Sequence, residues 1–292
     1  MCKILIIPHI NADRIENLWK FVTHAVQPLS EKDGDGFGYM ALDNKGNIFS
    51  EKWVSPRDAF YTQSGVKKVE DEIVSAYRGI LSIPERYKRI GIINAENVSS
   101  IALHARKATC GVSIKNTHPF ITKDKTTALI HNGVVDTENL ELKNSSCDSE
   151  GILNAYVKYN VGDDINGMKE LARNVHGQYA CGVYALTAQG FWVLDIIKDD
   201  AARLSAVYVE ELNSIVFCTD TSIVTAVCRK LKWKISAKFN LKDNYLIRHD
   251  PFTGKVLDLI DFVPTKREKF TKEVWSKGNL NPYDKYDNGY GV

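Results

Sequence analysis

Met1-Cys2-Lys3-Ile4-Leu5-Ile6-Ile7 is the stretch from which the rest of the chain is read. An apolar run rich in β-branched residues predicts a buried strand, so the cysteine at its head is carried by a core element rather than by a loose tail. If Met1 is removed, which the small side chain of Cys2 permits, residue 2 holds both a thiol and a free α-amine. The amine has a reference pKa of about 8 and the thiol of about 8.5, so near neutrality part of the amine is unprotonated and can serve its own thiol as general base. Taken alone, the stretch fits equally a small apolar side chain beside a strand start. The remaining chain has to decide between the two.

Composition sets the outer limits. With 292 residues, 44% hydrophobic and 25% charged, the chain suits one large domain or two small ones. A net charge of +2 argues against a protein dominated by phosphate contacts, so no nucleic-acid partner is expected. The six cysteines, at 2, 110, 147, 181, 218 and 228, show no CxxC spacing and read as free thiols in a reducing compartment. The apolar run after Lys3 is too short for a signal peptide or a membrane span. The expectation is a cytoplasmic protein with no membrane partner.

Outward from the first strand, Ile15, Leu18, Trp19, Val22 and Val26 fall at helical spacing, which predicts a helix over Arg14 to Val26 closed by Pro28. Asp33-Gly34-Asp35-Gly36-Phe37-Gly38 then feeds the strand Met40-Ala41-Leu42. The run lacks the later carboxylates of a calcium loop and reads as a glycine-cornered strand entry. Asp43-Asn44-Lys45-Gly46 predicts a hairpin turn into Asn47-Ile48-Phe49, and Lys67 to Leu81 a helix. Later segments read as helices near Asp148 to Val157, Asn166 to Val175 and Ser222 to Leu231. Strands are expected over Ala180 to Leu186, Phe191 to Ile197, Leu204 to Val209 and Ser214 to Cys218, with a last hairpin from Tyr245 to Phe262.

Three stretches carry candidate chemistry. Ser99 to Arg106 is strand-like and delivers Arg106 at its far end, placed for a bidentate bond to a carboxylate or for a structural ion pair. The strand from Thr126 ends in His131-Asn132-Gly133, where a glycine N–H and an asparagine amide are the parts of an oxyanion hole, though Asn-Gly is equally a common turn. Asp148, at a helix start, either caps that helix or holds an amine. A zinc site from His104, Cys110, His118 and His131 fits no familiar ligand spacing, and Lys230 to Lys234 reads as a solvated face.

Together these stretches resemble the glutaminase domain of class II glutamine amidotransferases, members of the N-terminal nucleophile hydrolases. The resemblance rests on Cys2, Asp35-Gly36-Phe37-Gly38, His104-Ala105-Arg106-Lys107-Ala108-Thr109-Cys110-Gly111, Asn116-Thr117-His118-Pro119-Phe120, His131-Asn132-Gly133, Asp148-Ser149-Glu150 and Gly177-Gln178-Tyr179-Ala180, in this order. A fainter likeness continues through Asp200-Ala201-Ala202-Arg203-Leu204 and Phe217-Cys218-Thr219-Asp220. It implies an α+β fold, a four-layer αββα sandwich of two antiparallel sheets, assigned to residues 2–264; residues 265–292, basic and with aromatics at no regular spacing, are expected to form a flexible tail. It further implies Cys2 as nucleophile, Asn132 and Gly133 as the oxyanion hole, Arg106 on the substrate carboxylate, Asp148 on its ammonium, and Thr109 and His118 lining or supporting the pocket. No metal and no cofactor are implied. Lys107 stands where an aromatic residue is common, and Lys3 where glycine is frequent.

The function that follows as an expectation is hydrolysis of glutamine through a Cys2 thioester, releasing glutamate and ammonia. The sequence contains no GxxxxGK[ST] loop, so the acceptor synthase is expected in trans. Two other readings stand beside it: a hydrolase of another amide such as a γ-glutamyl peptide, suggested by Lys107, and a catalytically idle binding module, which a retained Met1 would favour.

Overall fold

The computed structural model describes residues 2–32, 35–54, 97–108 and 113–263. The helix expected over Lys67 to Leu81, the candidate residue Thr109 and the tail over 265–292 lie outside the described residues.

The opening run forms β1 (Lys3–Ile7), and its pairing organises one half of the molecule. It lies between β4 (Val98–Arg106) and β10 (Ser214–Cys218), antiparallel to both. Beyond β4 come β2 (Gly36–Asp43) and β3 (Ile48–Val54); beyond β10 come β9 (Ser205–Val209) and β11 (Ile235–Asn240). The seven-stranded order is β11-β9-β10-β1-β4-β2-β3. A six-stranded sheet runs β13 (Val256–Asp261), β12 (Tyr245–His249), β8 (Trp192–Lys198), β7 (Gly177–Leu186), β6 (Thr127–Val135) and β5 (Phe120–Ile121).

β1 is apolar on both faces because both faces are covered. Leu5 and Ile7 pack with Leu18, Phe21 and Val22 of α1 (Ile15–Lys32) and with Ile223 and Val224 of α4 (Thr221–Leu231). Ile4 and Ile6 point the other way and meet Ile130, Ala180 and Ile196 of the second sheet. That sheet turns Leu129, Cys181 and Val183 outward onto Ile152, Tyr156 and Leu171 of α2 (Asp148–Lys158) and α3 (Gly167–Asn174). The period-2 alternation of strands thus builds three apolar layers between four layers of structure, αββα.

Two local expectations are corrected. Pro28 lies inside α1 and does not end it. Proline removes one backbone donor, but Val26 and Leu29 on either side are both buried in the helix–sheet layer, and that packing carries the helix onward. Asn132-Gly133 is not a turn either: β6 runs on to Val135, with Asn132 opposite Ala180 and Gly133 opposite Tyr179. The Asp43 hairpin forms as read, its carboxylate accepting from Lys45 N at 2.9 Å and Asn47 N at 2.8 Å. Among the described residues no helix is long and apolar enough to cross a membrane.

Candidate active site

The register of β1 against β4 places Lys3 beside Ala105, so Cys2 arrives at the end of β4 that carries Arg106 and Lys107. Its half-buried thiol is held on the Lys107 backbone: Lys107 N donates to Cys2 Sγ at 3.3 Å, and Sγ donates to Lys107 O at 3.3 Å. Asp35, at the entry to β2, braces the same corner. Its N–H donates to Arg106 O at 3.1 Å and its carboxylate accepts from Ala108 N at 2.6 Å. Arg106 is among the largest fully buried side chains of the molecule. It and His104 lie two residues apart on one face of β4, the face that meets the second sheet.

Across the gap is β6. His104 Nε2 donates to His131 O at 3.0 Å, a bond that joins the two sheets beside buried Asn132. Gly133 has φ of +151°, a backbone state that side chains rarely enter. A Cβ built there would lie 1.8 Å from Gln178 O. Asp148 opens α2 without capping it; its Oδ2 accepts from Val135 N at 2.9 Å, so the carboxylate is tied to the strand that presents Asn132 and Gly133. The N-cap position is Cys147, whose side chain makes no capping hydrogen bond to the helix backbone.

His118 lies on the loop before β5. Its ring stacks on His104 with centroids 3.8 Å apart and bonds Ser149 Oγ through Nε2 at 2.8 Å. Gly38 permits this approach, because a Cβ there would sit 2.1 Å from His118 O. Burial holds His104 down to about 3, and burial, followed by the charges of His104 and His131, holds His118 well below its ordinary value. Lys52 of β3 reaches in to donate to Thr117 O at 2.9 Å and Pro119 O at 3.2 Å, and its burial lowers its pKa.

Six of the seven residues singled out from the sequence are therefore described, and all six belong to one chain of contacts. It runs from Cys2 through Lys107 to Arg106 and His104, across to His131-Asn132-Gly133, and on to Asp148 and His118. Ser149, Asp35 and Lys52 went without a role in the sequence reading. Ser149 and Asp35 stand inside quoted motifs, but nothing local marks them as bonding partners of residues far along the chain. Lys52 sits on an ordinary alternating strand and carries no signal at all. The histidines of the zinc reading turn nitrogens to Ser149, to Gln178 O and to His131 O.

Comparison with known proteins bears on this arrangement. No protein-family model matches the chain. Over 161 residues, 50% of the chain, it is 32% identical to a glutamine–fructose-6-phosphate aminotransferase (isomerizing) of Clostridium perfringens (strain 13 / Type A). The stretch makes up 25% of that relative's length. Among solved structures, the glutamine phosphoribosylpyrophosphate amidotransferase from B. subtilis, complexed with ADP and GMP, superposes with a TM-score of 0.57 at 12% identity, covering 91% of this chain and 50% of that one. A structure described as the allosteric regulatory enzyme of purine biosynthesis gives 0.59, with the same identity and coverages. At such identity the structural likeness speaks for the fold alone, and the chain spans only a quarter of the length of the aminotransferase it matches. The chain has the fold of these two solved structures, and over half of its length it is similar in sequence to a glutamine–fructose-6-phosphate aminotransferase.

Proposed function

We propose that this protein hydrolyses the side-chain amide of glutamine with Cys2 as nucleophile. Once Met1 is removed, the α-amine of Cys2 takes the thiol proton as sulfur attacks the amide carbon. Asn132 Nδ2 and the Gly133 N–H stabilise the oxyanion, where losing one donor typically costs on the order of a hundredfold in rate. The amine then passes its proton to the departing nitrogen, ammonia leaves, and water cleaves the thioester to glutamate and free thiol. Arg106 binds the substrate α-carboxylate and Asp148 its α-ammonium, with His118 supporting them. The ammonia goes to a separate acceptor synthase.

The observation that supports this reading most is the seating of Cys2 Sγ on the Lys107 backbone at the end of β4 that carries Arg106. One exposed side chain favours a second substrate class: Lys107, whose own N–H holds the thiol, offers an ammonium to a carboxylate on the leaving group, as a γ-glutamyl amino acid would have. A panel of free glutamine and γ-glutamyl amino acids, assayed for released glutamate with Met1-processed protein, separates the two. The expected result is turnover of free glutamine, increased by the acceptor enzyme. Cys2→Ser should stay folded and lose most of the turnover. No glutamate from any amide, or a Cys2→Ser variant as fast as wild type, would end the nucleophile reading.

A further inference from the structure

His131 stands directly before the Asn132-Gly133 pair, and both of its ring nitrogens are engaged. Nε2 lies 3.3 Å from Gln178 O, an oxygen that can only accept, so Nε2 carries a hydrogen. In the neutral ring Nδ1 is then a bare acceptor, and the Ser149 hydroxyl 2.9 Å away must give it its one proton. Ser149 Oγ can then only accept from His118 Nε2 at 2.8 Å. His118 therefore carries its hydrogen on Nε2, and its buried Nδ1, which has no hydrogen-bond partner, is a lone pair rather than a buried N–H. The same holds for His104, which donates through Nε2 to His131 O and leaves Nδ1 unpartnered. With the His131 ring neutral, the donors therefore run one way, from His118 to Ser149 to His131 to Gln178 O.

One added proton changes the middle of this chain. With hydrogen on Nδ1, His131 donates to Ser149 Oγ, and the hydroxyl hydrogen turns to the next acceptor in reach, Asp148 Oδ1 at 3.4 Å. The imidazolium then stands 4.0 Å from that same carboxylate oxygen. We propose that Ser149 is a positioning residue that keeps His131 neutral, and that a proton on His131 and the α-ammonium of the bound amino acid exclude one another at Asp148. This rests on the assignment of Asp148 to the substrate ammonium made above.

Arg106 places positive charge against both His104 and His118, and Lys52 against His118, which opposes a further cation on the stacked pair. Cys147 Sγ, 3.5 Å from Asp148 Oδ1, is a second donor to the carboxylate. Cys181, opposite His131 on β7, is kept as a thiol by burial.

The test is steady-state glutamine hydrolysis by the full, Met1-processed chain between pH 5 and 9, with KM and kcat resolved. In wild type 1/KM should fall by up to about tenfold per pH unit on the acid side, apart from any ionisation seen in kcat. Ser149→Ala should move that inflection to higher pH and raise KM at pH 7 by about fivefold, because the neutral ring has lost its donor. Ser149→Thr should restore the wild-type curve, and His131→Asn should abolish the inflection. A Ser149→Ala variant with the wild-type 1/KM curve, or an inflection that survives His131→Asn, overturns the inference while leaving the glutaminase reading intact. Absence of glutamine turnover by wild type at every pH removes that reading and the inference with it. An imidazole 15N spectrum of wild type needs no variant: His131 should be the Nε2–H tautomer and titrate at lower pH with L-glutamate bound. An Nδ1–H tautomer, or a midpoint indifferent to glutamate, overturns the inference.

Discussion

Gly133 shows at single-residue scale how tightly the candidate oxyanion site is built. Its N–H is aimed by a backbone twist that only glycine adopts readily, with the Gln178 carbonyl where a side chain would begin. Neither feature can relax separately, because Gly133 is locked between Asp148-bound Val135 and the β7 partner Tyr179. Gly133→Ala should therefore lower the unfolding free energy by roughly 2–4 kcal/mol and remove glutamine turnover. Urea denaturation followed by tryptophan fluorescence checks the first part. A loss under about 0.5 kcal/mol, within the usual range for surface changes, would show that the strand accommodates a methyl group and that the twist is not required.

At the scale of elements, the loops on either side of Asp148 are clamped to each other. Asn116 accepts from Ser146 N at 3.1 Å and donates to Ser146 Oγ at 3.0 Å. Glu150 accepts from Ser145 N at 2.8 Å and Asn144 N at 3.0 Å; burial pushes its carboxyl up, but the bonds from Ser145 and Asn144 outweigh burial and hold it below its ordinary value. The histidine stack beneath these loops makes the junction acid-sensitive. His104 is neutral in the folded chain down to about 3 and His118 is held well below its ordinary value, whereas an unfolded histidine takes up its proton near 6.5. Below that pH the unfolded chain binds more protons, so stability is fully present above about 6.5 and is lost as pH falls. Each of the two should contribute a slope of about 1.4 kcal/mol per pH unit in that window. Unfolding free energies at pH 7.5 and at a series of points down to pH 5 would show it, and His104→Gln should flatten the slope. A wild-type stability independent of pH across this range would contradict the neutral, buried assignment.

Across the whole molecule, the sheets are joined by a few buried polar contacts set in an apolar layer. Ser100 on β4 bonds the Tyr184 hydroxyl on β7, and His104 bonds the His131 carbonyl. On the outer face of the second sheet, Arg248 of β12 forms a two-pronged bond to Asp195 of β8, Nε to Oδ1 at 2.8 Å and Nη2 to Oδ2 at 2.7 Å. Tyr156 of α2 donates to the same carboxylate at 2.6 Å. The cluster fixes the last turn of α2, while Asp148 is fixed separately at its first turn. Asp195→Ala should thus leave Arg248 buried and uncompensated, at a cost of about 3–5 kcal/mol, with the glutamine KM within about twofold of wild type. A large KM change at unchanged stability would show that the cluster, and not the Val135 bond, positions Asp148.

What the amino-acid sequence determined by itself was whatever depends on neighbours along the chain. The β-branched run after Cys2, the helical spacing from Ile15 and the aspartate-to-glycine turn at 43–46 announce their elements because side-chain period and turn chemistry are local. The order of the motifs was legible too, and with it the fold. Only the tertiary structure decided that Pro28 is carried inside a helix, that Asn132-Gly133 lies within a paired strand, and that Ser149 sits between two histidines drawn from separate loops and strands. Each of these outcomes is set by surfaces more than a dozen residues apart in sequence. Burial of Leu29, the β7 backbone beside Gly133 and the ring of His118 come into existence as forces on those residues only when the sheets close.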